Sequence, residues 1–332
     1  MKRLFTTILI LSLAFSQAFA GNHLKFGKDG KFKILQLTDI HYIWNDSRCN
    51  GVLESIKEMI EAEEPDLVVV TGDLIYGDPG KESMECVLDM LNSCGVPFAV
   101  TWGNHDDEHG LSRAELLELA QGYKHNVSST TGGIHGVTNY CLEIASSKSK
   151  KPAEIVWIFD SNSYCPMENV KGYDWIHNDQ IQWYRNTSAE YTAANGGEPV
   201  PSVAFFHIPL LEYESAIIKK GARFTGTKAE DGGFPRINSG LFVSFQEMGD
   251  VKAVFAGHDH NNDFIANYYG IALAYGRYSG GDTVYNDIKP NGCRVIELTE
   301  GSDSFRTYIR IRGGAILHDV IFPDFLLFKG EN

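Results

Sequence analysis

The stretch Val254-Phe255-Ala256-Gly257-His258-Asp259-His260-Asn261-Asn262-Asp263 decides how the chain is read. An apolar run stops at a glycine, and two histidines follow with one residue between them. Alternation along an extended segment puts His258 and His260 on the same side, so both imidazoles reach one small volume. Two imidazoles converging at the end of a strand point to a metal ion. A lone His-x-His is as readily a pair of hydrogen-bonded loop histidines, so the decision rests on the rest of the chain.

Four more segments end in the same way. Phe32 to Thr38 reads as a core strand and runs into Asp39-Ile40-His41. Leu67 to Thr71 is a continuous apolar and β-branched run, which suits a strand covered on both faces, and it ends at Gly72-Asp73. Phe98 to Trp102 delivers Gly103-Asn104-His105-Asp106, and Ser202 to Phe206 delivers His207-Ile208-Pro209. Between these strands the apolar spacing predicts helices over Val52 to Glu64, closed by Pro65, over Lys81 to Cys94, over Asn178 to Ala189 and near Leu241 to Met248. Alternation of strands and helices makes the fold class α/β. Further strands are expected over Ile134 to Ala145, Glu154 to Phe159, Phe264 to Tyr268, Ile271 to Tyr275, Arg294 to Leu298 and Phe305 to Ile311. Gly221 to Asn238, rich in glycine and charge, is expected to be a mobile surface loop.

Met1-Lys2-Arg3, the apolar stretch Leu4 to Phe15 and then Ala18-Phe19-Ala20 follow the order of a secretory signal, and the apolar part is short for a bilayer. The expected organisation is therefore a signal peptide over 1–20, one domain over 21–312 and a C-terminal tail over 313–332 packed on it. The product is expected to be exported, periplasmic or secreted, with no membrane span. Acidic residues outnumber basic ones 43 to 29, a net charge of −14, so the surface repels nucleic-acid polymers and anionic membranes. Six cysteines permit up to three disulfides, but their spacings name no pairing, and none lies in a C-x-x-C that would support cysteine-zinc or thioredoxin-like chemistry.

Ligands of parallel α/β sheets are held at the carboxyl ends of the strands, so the five strand ends can meet. Nitrogen and oxygen donors without thiolate suit a pair of first-row ions, divalent or of mixed valence, such as iron, zinc or manganese. The expected partition gives one ion Asp39, His41 and His260, gives the other Asn104, His207 and His258, and lets Asp73 bridge them. Two such ions outweigh the two aspartates and make the pocket cationic, so a small phosphorylated substrate is the natural guest. A pair of ions roughly 3.5 to 4 Å apart clamps phosphate oxygens and yields hydroxide near neutral pH for in-line attack. His105 is the candidate to stabilise the phosphoryl group or protonate the leaving oxygen, with Asp106 fixing its tautomer.

The series Asp39-x-His41, Gly72-Asp73, Gly103-Asn104-His105-Asp106, His207 and Gly257-His258-Asp259-His260 resembles the calcineurin-like metallophosphoesterase superfamily. A closer similarity is to its small purple-acid-phosphatase-related branch, carried by Tyr173-Asp174-Trp175-Ile176 with Gln180 and Trp183, by Phe206-His207-Ile208-Pro209-Leu210, Asn238-Ser239-Gly240 and Tyr275-Gly276-Arg277. The resemblance implies two mixed β-sheets packed as a sandwich with flanking helices, a four-layer α/β/β/α fold, and phosphoesterase activity on one binuclear centre. Phosphomonoesters are the leading substrate class; a phosphodiesterase acting on nucleotides or lipid head groups is the alternative, and a binding protein without catalysis a third. Purple acid phosphatases proper have the Asp-x-x-Tyr spacing of Asp73 and Tyr76 but no histidine where His41 stands. His41 is therefore expected to be the ligand and Tyr76 a pocket-wall residue near the substrate. Arg277 is placed either to reach a substrate phosphate or to make a salt bridge at the surface.

Overall fold

Alternate residues of the central strands face different layers, and that alternation builds the whole architecture. The computed structural model describes residues 24–218 and 222–327; the expected signal peptide over 1–20 lies outside them. In chain order the elements are β1 (Lys31–Leu37), α1 (Val52–Glu63), β2 (Leu67–Thr71), α2 (Gly80–Ser93), β3 (Phe98–Thr101), α3 (Arg113–Gln121), β4 (Tyr140–Ala145), β5 (Pro152–Ile158), α4 (Asn178–Ala194), β6 (Ser202–Phe205), α5 (Glu212–Ile218), β7 (Phe224–Thr225), α6 (Leu241–Met248), β8 (Val251–Ala256), β9 (Ile265–Tyr268), β10 (Ile271–Tyr275), β11 (Gly292–Thr299), β12 (Phe305–Ile311), β13 (Ile316–Phe322) and β14 (Leu326–Leu327).

They form two seven-stranded sheets, ordered β14-β13-β12-β11-β1-β2-β3 and β4-β5-β6-β8-β10-β9-β7. The strands that carry the histidines and aspartates are parallel neighbours within each sheet: β1 with β2 and β2 with β3 in one, β6 with β8 in the other. Ile34, Leu67 and Val69 point inward and meet Val203, Phe205, Ala253 and Phe255 of the facing sheet. Leu35, Leu37, Val68 and Val70 point outward onto Ile56 and Ile60 of α1 and Val87 and Leu88 of α2. On the other flank Ala204 and Val254 meet Tyr184 of α4, Tyr213 of α5 and Phe245 of α6. The result is two mixed sheets face to face with helices outside both, as the sequence predicts.

Three expectations change. Gly221 to Asn238 is not a free surface loop: β7 pairs antiparallel with β9, the Ala229 N–H donates to the Asn261 carbonyl at 3.1 Å, and the Gly233 N–H donates to Asp259 Oδ1 at 2.8 Å. The described part of this segment is seated on the double-histidine turn. The strand expected from Ile134 begins only at Tyr140, because Val137 donates its N–H to Asp160 Oδ2 at 2.7 Å and the chain turns there. The helices α3 and α5 were not expected. The first is short and is started by a capping box, with Ser112 and Glu115 satisfying each other's backbone N–H groups.

The tail also finds its partner. β13 extends the first sheet beside β12, and the Phe322 ring stacks on Phe305 at 5.3 Å within the core between the sheets. All six cysteines are free thiols, and among the described residues no helix is long and apolar enough to cross a membrane. Because Phe322 is buried in that core, Phe322→Ala is expected to cost about 3 to 5 kcal/mol, read as a lower urea midpoint. A loss under about 1 kcal/mol would show that residues beyond Gly313 are an ornament on the domain.

Candidate metal centre

The turns that follow the central strands carry the donors in an unusual backbone state. Asp39 (φ 53°), His41 (φ 46°), Asp73 (φ 51°) and His258 (φ 78°) all adopt the left-handed region, which costs a residue with a side chain on the order of 1 kcal/mol. Interlocking backbone bonds hold them there. The Asp39 N–H donates to Gly72 O at 3.1 Å, that of His41 to Asp73 O at 2.9 Å, and that of His258 to the Asp39 carboxylate at 3.0 Å. Gly72 (φ 81°) is required by crowding as well, since a Cβ on it would stand 2.6 Å from Gly103 N and the His207 ring.

These turns bring together all seven expected donors. His207 Nε2 lies 3.2 Å from Asp73 Oδ2, 3.2 Å from Asn104 Oδ1 and 3.2 Å from His258 Nδ1. His41 Nε2 lies 3.1 Å from His260 Nε2 and 3.5 Å from Asp73 Oδ2, and His260 Nε2 lies 3.5 Å from Asp39 Oδ1. Asp73 Oδ2 is common to both groups, and every donor is buried. Two of the rings are fixed from behind: His207 Nδ1 meets the Thr71 carbonyl and His260 Nδ1 meets the Tyr285 carbonyl, each at 2.8 Å. A ring that donates Nδ1–H to a carbonyl presents its Nε2 lone pair in front. Lone pairs thus face lone pairs and carboxylate oxygens among buried side chains, an arrangement that fits a cation. The donor set, nitrogen and oxygen without sulfur, fits a borderline or hard first-row ion.

The charge states agree with that fit. Burial holds His41 and His258 down to about 3, so both rings are neutral and ready to ligate. Burial also pushes the carboxyls of Asp39 and Asp73 up, but the bonds and charges of His260 and His207 outweigh it and hold both below the usual range. His207 runs the other way: burial lowers it, the Asp73 carboxylate raises it more, and it reaches about 9. His260 follows His207 in direction, raised by the bond and charge of Asp39 against its burial.

His105 stands at the edge of the centre, its ring 5.6 Å from that of His41 and its N–H donating to Asp73 Oδ1 at 2.9 Å. The residue that fixes its tautomer is not Asp106. Asp106 is wholly buried and accepts the N–H groups of Gly103, Asp73, Leu74 and Ile75, so it shapes the turns instead. His105 Nδ1 meets Glu108 Oε2 at 2.6 Å. Glu108 reads as a solvated turn residue in the sequence; its spacing of three from His105 was the available signal. Arg277 is likewise corrected. It is buried, paired with Asp263 at 2.5 Å and bound to the Pro290 carbonyl, and it does not line the cavity. Tyr76 packs edge-on against His41 at 5.6 Å and His105 at 5.1 Å, beside the centre but outside the residues that line the cavity.

The sequence assigns no place in the cavity wall to Tyr173 or Tyr285. Tyr173 stands edge-on over His258 at 4.3 Å, Tyr285 stacks on His260 at 4.4 Å, and Tyr164 bonds Asn104 at 3.3 Å. Arg113 of α3 donates to the carbonyls of Trp102 and Gly103 while paired with buried Asp160 at 2.6 Å, and so props the turn that carries Asn104. The donors open onto a cavity of about 280 Å³.

Metal affinity is expected to depend on pH with a definite sign. A metal must displace the proton of His207, which is held up to about 9, and that of His260, which Asp39 raises against its burial, whereas His41 and His258 have already lost theirs above about 3. Between pH 5 and 9 the apparent affinity for zinc or manganese, measured by calorimetry on chelator-stripped protein, should therefore rise by at least about tenfold per pH unit and level off above. A flat profile would contradict this protonation scheme.

Comparison with known proteins places this geometry. Residues 32–262 match the model of the calcineurin-like phosphoesterase family. The chain is 32% identical over 320 residues to the Arabidopsis thaliana protein named probable inactive purple acid phosphatase 28, covering 85% of this chain and 79% of that one. It is 30% identical over 324 residues to the Saccharomyces cerevisiae protein named phosphatase DCR2, covering 86% of this chain and 54% of that one. Among solved structures, a dimetal phosphatase from Danio rerio superposes with a TM-score of 0.60 at 16% identity, covering 87% of this chain and 98% of that one, which shows a shared fold. By its family motifs, its sandwich of two mixed sheets and its clustered donors, this chain belongs to the calcineurin-like phosphoesterases.

Proposed function

We propose that the chain is an exported binuclear-metal phosphoesterase that hydrolyses small phosphomonoesters. The observation that carries this reading is the meeting of two buried donor groups, Asp39, His41, Asp73 and His260 in one and Asp73, His207 and His258 in the other, through one shared carboxylate. Asn104 completes the second group through Oδ1, at 3.2 Å from His207. Iron, zinc or manganese ions held there would polarise phosphoryl oxygens and supply a nucleophile from water near neutral pH. The chain's own residues do the rest. Glu108 meets Nδ1 of His105 and orients the ring, and a proton on Nε2 would serve the phosphoryl group or the departing alcohol oxygen. Tyr173, Gly233 and Tyr285 wall a cavity whose size suits a small ester.

A second reading has its own support. Relatives named probable inactive purple acid phosphatases are 31% and 32% identical to this chain over the aligned stretches, and a binding protein that holds phosphate esters without turning them over would need the same pocket. Phosphate release separates the two. Metal-loaded protein is expected to release phosphate from p-nitrophenyl phosphate faster than nitrophenol from the bis-ester, and chelation or Asp73→Ala is expected to abolish both. His105→Ala should slow an alkyl phosphate by about 100-fold and p-nitrophenyl phosphate less, because a phenolate leaves without a proton. Equal rates for chelated and metal-loaded protein would end the catalytic reading. Export rests on Met1 to Ala20, and amino-terminal sequencing of protein recovered outside the cytoplasm is expected to begin at Gly21. An intact Met1 on that protein would refute it.

A further inference from the structure

The cavity has walls that phosphate chemistry alone does not use. Apart from the metal donors and His105, its lining comes from Tyr173, Asp231, Gly233, Asp259 and Tyr285, and no lysine or arginine lines it. A site for a substrate with several anionic groups would hold basic side chains for the charges that the metal ions do not reach. Here the surroundings have the opposite sign. Asp231 is fully exposed, with one oxygen 2.8 Å from Lys228. Glu230, just before it, accepts the Asn261 N–H at 2.5 Å and lies within bonding reach of the Tyr285 hydroxyl. Glu108 stands behind His105. Asp231 is thus on the lining and paired with Lys228, while Glu230 and Glu108 stand outside it, beside Tyr285 and His105. The arginines nearby are engaged or turned away: Arg113 is paired with Asp160, and Arg236 rests against Gly172 without entering the cavity.

The walls beside these carboxylates are aromatic rings. Tyr285, 55% exposed, stacks on His260, and Tyr173 stands perpendicular to His258 with Tyr164 stacked beside it at 5.7 Å. Tyrosine rings with carboxylates behind them hold alkylammonium groups, through the negative ring face and the nearby charge together. We propose that the leaving-group side of this cavity binds an ammonium group, so that the substrates are phosphomonoesters of amino or trimethylammonio alcohols. This inference rests on the phosphoesterase reading above. Hydrolysis would break the ester P–O bond, join the oxygen of water to phosphorus and leave a proton on the alcohol oxygen, giving inorganic phosphate and the free amino alcohol.

The test compares three esters on the metal-loaded full chain: choline phosphate, its uncharged isostere 3,3-dimethylbutyl phosphate, and phosphoglycolate. Both kcat/KM and calorimetric Kd are measured for the wild type, Asp231→Asn and Tyr285→Leu. Choline phosphate is expected to be favoured over the isostere by at least about tenfold, with phosphoglycolate the poorest, and each substitution should shrink that ratio severalfold. Hydrolysis of choline phosphate and isostere at equal efficiency overturns the ammonium site and leaves the phosphoesterase standing. Discrimination in Kd without hydrolysis supports the ammonium site and overturns the phosphoesterase. Equal Kd values without hydrolysis overturn both, and a ratio that neither substitution changes overturns the assignment of the walls.

Discussion

Electron-rich atoms held face to face in a water-poor pocket are the constraint on which this structure turns. His207 and His260 cannot rotate away, because the carbonyls of Thr71 and Tyr285 hold their Nδ1 atoms from behind. In front stand Asp73, Asn104, His258, Asp39 and His41. Such an assembly is self-repelling unless positive charge enters it, as a proton on His207 or as metal ions. The fold tolerates this because the cluster sits at the strand ends, where backbone groups are available to orient side chains, and not in the apolar layer between the sheets.

Rigidity at the cluster is supplied by groups that never touch it directly. Asp106 gathers four backbone N–H groups and so fixes the turn carrying Asp73 to the turn carrying Asn104. Arg113 and Asp160 do the same for the end of β3, in an ion pair buried from solvent whose loss would strand a charge. Four donor residues in left-handed conformations would relax if these clamps were cut. The strain is affordable because each turn is tied at both ends.

The clustered donors were legible in the sequence because each stands at the end of an apolar run, and the polarity break marks the place where a strand leaves the core. Asp39, Asp73, Asn104, His207 and His258 all carry that mark. The tyrosine walls were less legible: Tyr173 and Tyr285 lie in irregular segments, where neither period two nor period 3.6 applies, and the motif that contains Tyr173 does not say where its ring points. Asp106 and Arg277 misled for a common reason. Both are charged residues beside a motif, and a sequence cannot say whether such a charge faces the cavity or is buried against backbone groups. The segment Gly221 to Asn238 misled in the opposite direction, since its glycines read as freedom when Gly233 instead permits close approach to His258.

By itself the sequence determined the α/β class, the family, the central strands and the seven side chains that gather at their ends, because hydrophobic periodicity and strand-end motifs are local properties of the chain. Tertiary structure decided which carboxylate supports His105, where Arg277 points, what the tail packs on and which rings wall the cavity. Those contacts join residues far apart in the chain, or select one rotamer among several. They are fixed only when the layers close and each buried polar group must find a partner.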